Sequence, residues 1–166
     1  LLITAAQIIA DDAAVDGHRV EVRADAWISI NGHPRQRTID RAQPQVEQLL
    51  LNANGNSLRF ARTRLPVVPD VYPNNLGPLA GIHAGLTWME AKAPKAEWLV
   101  SFASDTPFFP ADLVETLTAA AQTSSSKLVV AVSKLRVHPV FALWHISLKE
   151  QIGAQLDGGE VPRLQD

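Results

Sequence analysis

The apolar run Trp98-Leu99-Val100-Ser101-Phe102-Ala103 leads directly into Ser104-Asp105-Thr106-Pro107. A carboxylate at the end of such a run is either a cap or turn residue or, at the carboxyl edge of an open α/β sheet, a ligand for a metal ion or a sugar hydroxyl. Two more strand-like runs end in the same way. Residues 46–53 (VEQLLLNA) carry Asn52, with Asn54 just beyond, and 66–70 (PVVPD) ends on Asp70. Singly these are turn residues. Together they offer amides that read a base or ribose and carboxylates that bind hydroxyls or Mg²⁺. The expectation is that three neighbouring strand ends turn Asn52, Asp70 and Asp105 toward one crevice.

A second cluster, Gly77-Pro78-Leu79-Ala80-Gly81, opens a helical pattern. Glycines at a helix start let the backbone approach a ligand closely, and first-turn N–H groups face an anion or base edge. The alternative is tight packing of that helix on a sheet. His138, before Pro139, has no second histidine or carboxylate at ligand spacing and makes a poor metal site; a substrate contact stays open. His83 reads as packed or solvent-facing, and Trp27, Trp88, Trp98 and Trp144 as core or interface residues. No Ser-His-Asp arrangement is legible.

The elements that must position these groups alternate between strand and helix. Strands are predicted over 46–53, 66–70, 98–103, 127–133 and 139–144, and helices over 79–91, 111–121 and 148–156, with Pro110 at the second helix start. Leu79, Ile82, Leu86 and Met89 form one helical stripe. Continuous apolar runs fit strands covered on both faces, so the pattern implies βαβ units and a mostly parallel sheet. Near the front, 18–23 (HRVEVR) alternates as an edge strand or irregular loop would. Residues 27–30 read as a strand entering an Asn31-Gly32 turn, and 36–42 as a helix ending near Pro44.

At 166 residues, with 46% hydrophobic and 19% charged, the chain has the size and composition of one folded domain, over 1–166. A net charge of −2 with scattered Lys and Arg gives no electrostatic case for a nucleic-acid partner. The lack of cysteine excludes disulfides and thiolate metal sites, so a cytoplasmic location is expected. No run approaches the roughly 20 apolar residues of a membrane span. Leu1–Ala5 lacks the basic flank of a signal peptide and reads as a first strand. With no initiator Met and no terminal signal after Gln165-Asp166, residues are expected beyond both ends.

The ordered set LLLNANGN, PVVPD, GPLAGIHAGL, SDTPFFPADLV and HPVFALW, over roughly residues 31–156, closely resembles the molybdenum cofactor guanylyltransferases. The resemblance implies a three-layer, Rossmann-like fold of the nucleotide-diphospho-sugar transferase group, and transfer of GMP from GTP onto molybdopterin with release of pyrophosphate. Carried over by residue, it implies that Asn52 and Asp70 hold GTP, and that Gly77, Pro78, Leu79 and Gly81 lie beside the guanine. Asp105, in SDTP where the family often shows CDTP, would be the catalytic ligand of Mg²⁺ and nucleotide. His138 and Pro139 match a segment near the pterin side. GTP and molybdopterin are the implied substrates, with cofactor-biosynthesis or acceptor proteins as further partners.

The front departs from the family, whose signature is a strand followed by L-A-G-G-x-S/A-x-R-M-G-x-x-K. Leu1–Gln7 could stand there with Ala5 and Ala6 for the glycines, or Ile9–Asp12 could; residues 19–27 then cover the second half and put Asp25 where the Lys belongs. A carboxylate beside a triphosphate repels, and substituted glycines block close backbone approach. The family's N-x-N-T-P segment is absent before Asp166. Two alternatives therefore stay open: a catalytically inactive nucleotide-binding paralogue, and a nucleotidyltransferase of the same fold using CTP or a sugar phosphate.

Overall fold

Period-two alternation of buried residues along successive strands splits the core into two clusters, one on each face of a sheet. The structure, a computed structural model, describes residues 6–9, 24–29, 36–73, 76–134 and 136–158. Among these the strands are β1 (Ala6–Ile9), β2 (Ala24–Ser29), β3 (Leu49–Asn52), β4 (Val67–Val68), β5 (Trp98–Ala103), β6 (Leu128–Ser133) and β7 (Arg136–His145). The helices are α1 (Gln36–Ala42), α2 (Pro78–Lys92), α3 (Leu113–Ser124) and α4 (Lys149–Asp157). The strands form one sheet in the order β1-β6-β7-β5-β2-β3-β4. Every pair is parallel except those made by β7, which is antiparallel to both β5 and β6.

On one face Leu49, Leu51, Val100, Phe102, Val129, Phe141 and Leu143 pack against Ile39 of α1 and Leu113, Val114 and Leu117 of α3. On the other Leu50, Leu99, Leu128, Val130 and Trp144 meet Leu79, Ile82, Leu86 and Met89 of α2 and Ile152 and Leu156 of α4. Both parities of each run are buried, as a strand between two helical layers requires. The three-layer, mostly parallel α/β arrangement expected from the sequence is therefore the one observed. Trp144 is core, as expected. Its Nε1 donates to the buried Ser101 Oγ at 3.0 Å, and that hydroxyl donates to the Ala142 carbonyl at 3.3 Å, so neither polar group is left unpaired between β5 and β7.

Several boundaries differ from expectation. β7 starts before Pro139, because the register with β6 jumps from Val130↔Ala142 to Ala131↔His138. This bulge removes Pro139, which has no N–H, from the ladder. β4 is only two residues long, and a 3₁₀ turn over Ser57–Thr63, capped by the Asn56 side chain on Leu58 N, was not anticipated. The expected first strand at Leu1–Ala5, the 18–23 segment and the Asn31-Gly32 turn lie outside the described residues.

Where α4 packs on α2, small residues set the approach. A Cβ on Gly153 would stand 3.1 Å from His83 Nε2. Tyr72 donates its hydroxyl to the Gly153 carbonyl at 3.3 Å and meets the His83 ring edge-on at 5.2 Å. Burial, reinforced by the Lys149 charge and opposed by Glu150 and Asp157, holds the His83 pKa below its ordinary value. The neutral ring is thus the form the fold favours. As pH falls through the ordinary histidine range, near ~6.5, the unfolded chain takes up a proton that the folded chain resists, and stability declines. Urea midpoints measured from pH 7.5 to 5.5 should fall more steeply for the wild type than for His83→Gln; equal slopes would contradict this.

Candidate functional site

The tip of β5 is held from the opposite side of the loop that follows it. Thr38 of α1, fully buried, donates Oγ1 to the Ser104 carbonyl at 3.0 Å. Arg41 Nε donates to the Phe109 carbonyl, and Gln45 Nε2 to that of Pro110 at 3.2 Å. Gln45 Oε1 accepts from Val114 N at 3.1 Å, serving as the cap that Asp112 does not provide for α3. Phe109 lies against Phe102 and Phe141, with ring centroids 4.8 and 5.6 Å apart. Between these anchors Asp105 is exposed, its Oδ1 accepting from the Thr106 hydroxyl at 3.2 Å. It does not cap α3, which begins at Leu113. Sequence reading missed Thr38, Arg41 and Gln45. Thr38 and Arg41 stand at the i, i+3 spacing of one face of α1, and Gln45 follows in the 3₁₀ turn Gln43–Gln45.

At the end of β3, Asn52 is 5% exposed. Its Nδ2 donates to the Val68 carbonyl at 3.2 Å and to Asp70 Oδ1 at 2.8 Å. Asn54 Nδ2 donates to Asp70 Oδ2 at 2.7 Å, and Asp70 N returns a bond to Asn54 Oδ1 at 2.8 Å. Gly81 closes the other side, since a Cβ there would stand 2.3 Å from Asn52 Oδ1. The glycine is required by packing, and that packing sets the Asn52 amide. Gly77 has φ 79°, open to glycine and strained for other residues, and Pro78 follows at the first helical position. Leu79 is 2% exposed, so only its main chain is available to a ligand.

The structure brings Asn52, Asn54 and Asp70 together but sets Asp105 apart. Ser29 of β2 pairs with both Asn52 and Ala103, so β3 and β5 end level with one strand between them, about 10 Å apart at two strand spacings. The three strand ends are not immediate neighbours, although they share one edge. His138 reaches that edge because β7 runs antiparallel; its Nε2 is 2.7 Å from Ser133 Oγ and its ring stands edge-on to Phe141. Asp25 pairs with Leu99, four residues before the carboxyl end of β2, or about 13 Å along the strand. That backbone position is far from the edge where a triphosphate-binding Lys would belong. Of the other placements suggested for the missing glycine loop, Leu1–Ala5 and residues 10–12 lie outside the described residues.

Among the described residues no group of three or more His, Asp or Glu side chains gathers as a metal cage. A lone exposed carboxylate fits instead the way Mg²⁺ is usually held, by one or two carboxylates with substrate phosphates completing the shell. Asp105 suits that donor set.

Asn52→Ala removes the amide that donates to Asp70 Oδ1, while the Val68 carbonyl keeps its bond from Ala53 N. For the GTP site that the resemblance implies, affinity should fall about tenfold, with a stability loss of about 1–2 kcal/mol. Calorimetric titration alongside a thermal melt checks both, and an unchanged GTP affinity would contradict a nucleotide role for Asn52.

A model of the MobA-like NTP transferase domain matches residues 17–164. The chain is 48% identical over 126 residues to the molybdenum cofactor guanylyltransferase of Bradyrhizobium sp. (strain ORS 278), covering 76% of this chain and 59% of that protein. It spans about three-fifths of the length of the curated relatives it matches. Among solved structures, molybdopterin-guanine dinucleotide biosynthesis protein A from Archaeoglobus fulgidus superposes with a TM-score of 0.61 at 16% identity, over 82% of this chain and 75% of that one. A Mycobacterium tuberculosis protein solved in complex with manganese gives 0.56 at 14% identity, over 86% of each chain. The arrangement of strands and the family match lead to one conclusion: the chain belongs to the family of MobA-like NTP transferase domains.

Proposed function

We propose that the chain transfers GMP from GTP to molybdopterin, giving molybdopterin guanine dinucleotide and pyrophosphate. The observation that carries this reading is the sharing of one sheet edge by an exposed, firmly anchored Asp105 and the Asn52–Asp70 pair packed on Gly81. Relatives named molybdenum cofactor guanylyltransferase are 48% and 42% identical to this chain, over 126 and 129 residues, which supports the same reading.

In this account the nucleoside lies over the ends of β3 and β4. Asn52 and Asn54 orient the Asp70 carboxylate, and two amide bonds do not exhaust its roughly four lone-pair sites, so it also accepts ribose or base donors. The Gly77–Gly81 turn lets the base approach the backbone at the start of α2. Asp105 would hold Mg²⁺, which when bound neutralises phosphate charge. An oxygen of the molybdopterin terminal phosphate attacks the α-phosphorus of GTP in line. The bond from that phosphorus to the bridging oxygen of the β-phosphate breaks, and pyrophosphate carries the electron pair away. No covalent protein intermediate is needed; the protein contributes position and charge.

The test is transfer itself. GTP, Mg²⁺ and molybdopterin incubated with the chain should yield the dinucleotide and pyrophosphate, with GTP preferred to CTP. Preferred turnover of CTP would replace the guanylyl assignment by a cytidylyl one. Absence of any transfer would favour the inactive nucleotide-binding paralogue.

A further inference from the structure

Among the described residues the large hydrophobic side chains left in solvent are Leu58, Val71, Phe108 and Val137. All lie at the carboxyl edge: Leu58, Val71 and Phe108 follow the ends of β3, β4 and β5, and Val137 stands near the start of antiparallel β7. Phe108 is the most exposed, at 80%. Its flanks are buried: Pro107 on one side and Phe109, clamped between Phe102 and Phe141, on the other. Arg41 and Gln45 fix the carbonyls of Phe109 and Pro110. The backbone therefore presents this ring to water and prevents it from folding inward. A wet aromatic ring is costly and gains most by covering a flat partner.

The position of the ring selects that partner. Asn52, Asp70 and the start of α2 lie on the β3–β4 side of β5, whereas Phe109, the neighbour of Phe108, leans on Phe141 of β7 on the other side of β5. An entering phosphate must reach the α-phosphorus from a direction the nucleoside does not fill. We propose that Phe108 is the stacking surface for the flat heterocyclic ring of the acceptor, a phosphate monoester. The inference rests on the transfer reading above for the identity of that acceptor.

Fluorescence titration with molybdopterin, without turnover, tests it. Phe108→Ala should weaken molybdopterin binding about tenfold or more, the scale of a lost ring stack. GTP affinity and melting temperature should stay at wild-type values, and Phe108→Tyr should restore binding. An unchanged molybdopterin affinity, an equal loss of GTP affinity, or a wild-type chain that does not bind molybdopterin overturns the inference. If Phe108→Ala loses molybdopterin while the wild type transfers no GMP, the transfer reading fails and the stacking role stands.

Discussion

Replacing Asp105 by alanine should lower guanylyl transfer by about a hundredfold to a thousandfold, the range for removing one charge-stabilising group at a phosphoryl centre, while leaving the fold intact. The side chain is exposed and its hydrogen bond is to the adjacent Thr106, so folding loses little with it. The loop's shape comes from Thr38, Arg41 and Gln45, which the substitution does not touch. Asp105→Asn separates charge from shape, since it keeps an acceptor for Thr106 but discards the anion. If charge is what matters, Asn falls nearly as far as Ala. Steady-state rates at saturating GTP, with and without chelation of Mg²⁺, measure the effect beside a thermal melt. Wild-type turnover in Asp105→Ala would remove the metal assignment.

Gly81→Ala should have the second largest effect, with a sign opposite to that expected for an ordinary helix. Within a helix Ala is favoured over Gly by about 1 kcal/mol. Here the added methyl would meet Asn52 Oδ1 at 2.3 Å. The amide cannot swing away cheaply, because it is buried and tied to the Val68 carbonyl and Asp70. The expected outcome is a stability loss of about 2 kcal/mol, in the range for overpacking, with GTP affinity lowered about tenfold. The double variant Gly81→Ala with Asn52→Ala recovers much of the stability, since the methyl enters space the amide has left. Strict additivity in that cycle would contradict the direct contact.

The parts of this architecture legible in the sequence were those with strong local signals. β5 was readable to the residue because a mainly apolar run of six ends on Ser-Asp-Thr-Pro, and α2 to within one residue at each end because Gly77-Pro78 precedes a regular apolar stripe. Turn chemistry marked Asn52, Asp70 and Asp105 as strand-end residues. It could not show that Asn52 and Asp70 bond across 18 positions, nor that β2 intervenes before Asp105, because strand order is a tertiary property. The early start of β7 was hidden by polar Arg136 and His138 and by Pro139, which a bulge accommodates. The anchors of the Asp105 loop were overlooked because polar residues on a helix face ordinarily read as solvated. Gly81 was read as close approach to a ligand or as packing. The packing is observed, and its partner is a candidate ligand-holding side chain.

In the proposed mechanism this sheet edge binds guanine nucleotide through a metal at Asp105. Calorimetric titration of the chain with GTP, in Mg²⁺ and then in chelator, with CTP as comparison, tests it most directly. The expected result is Mg²⁺-dependent binding of GTP, at least about tenfold tighter than CTP and lost in Asp105→Ala. No GTP binding in Mg²⁺, or binding indifferent to both Mg²⁺ and Asp105, would contradict it.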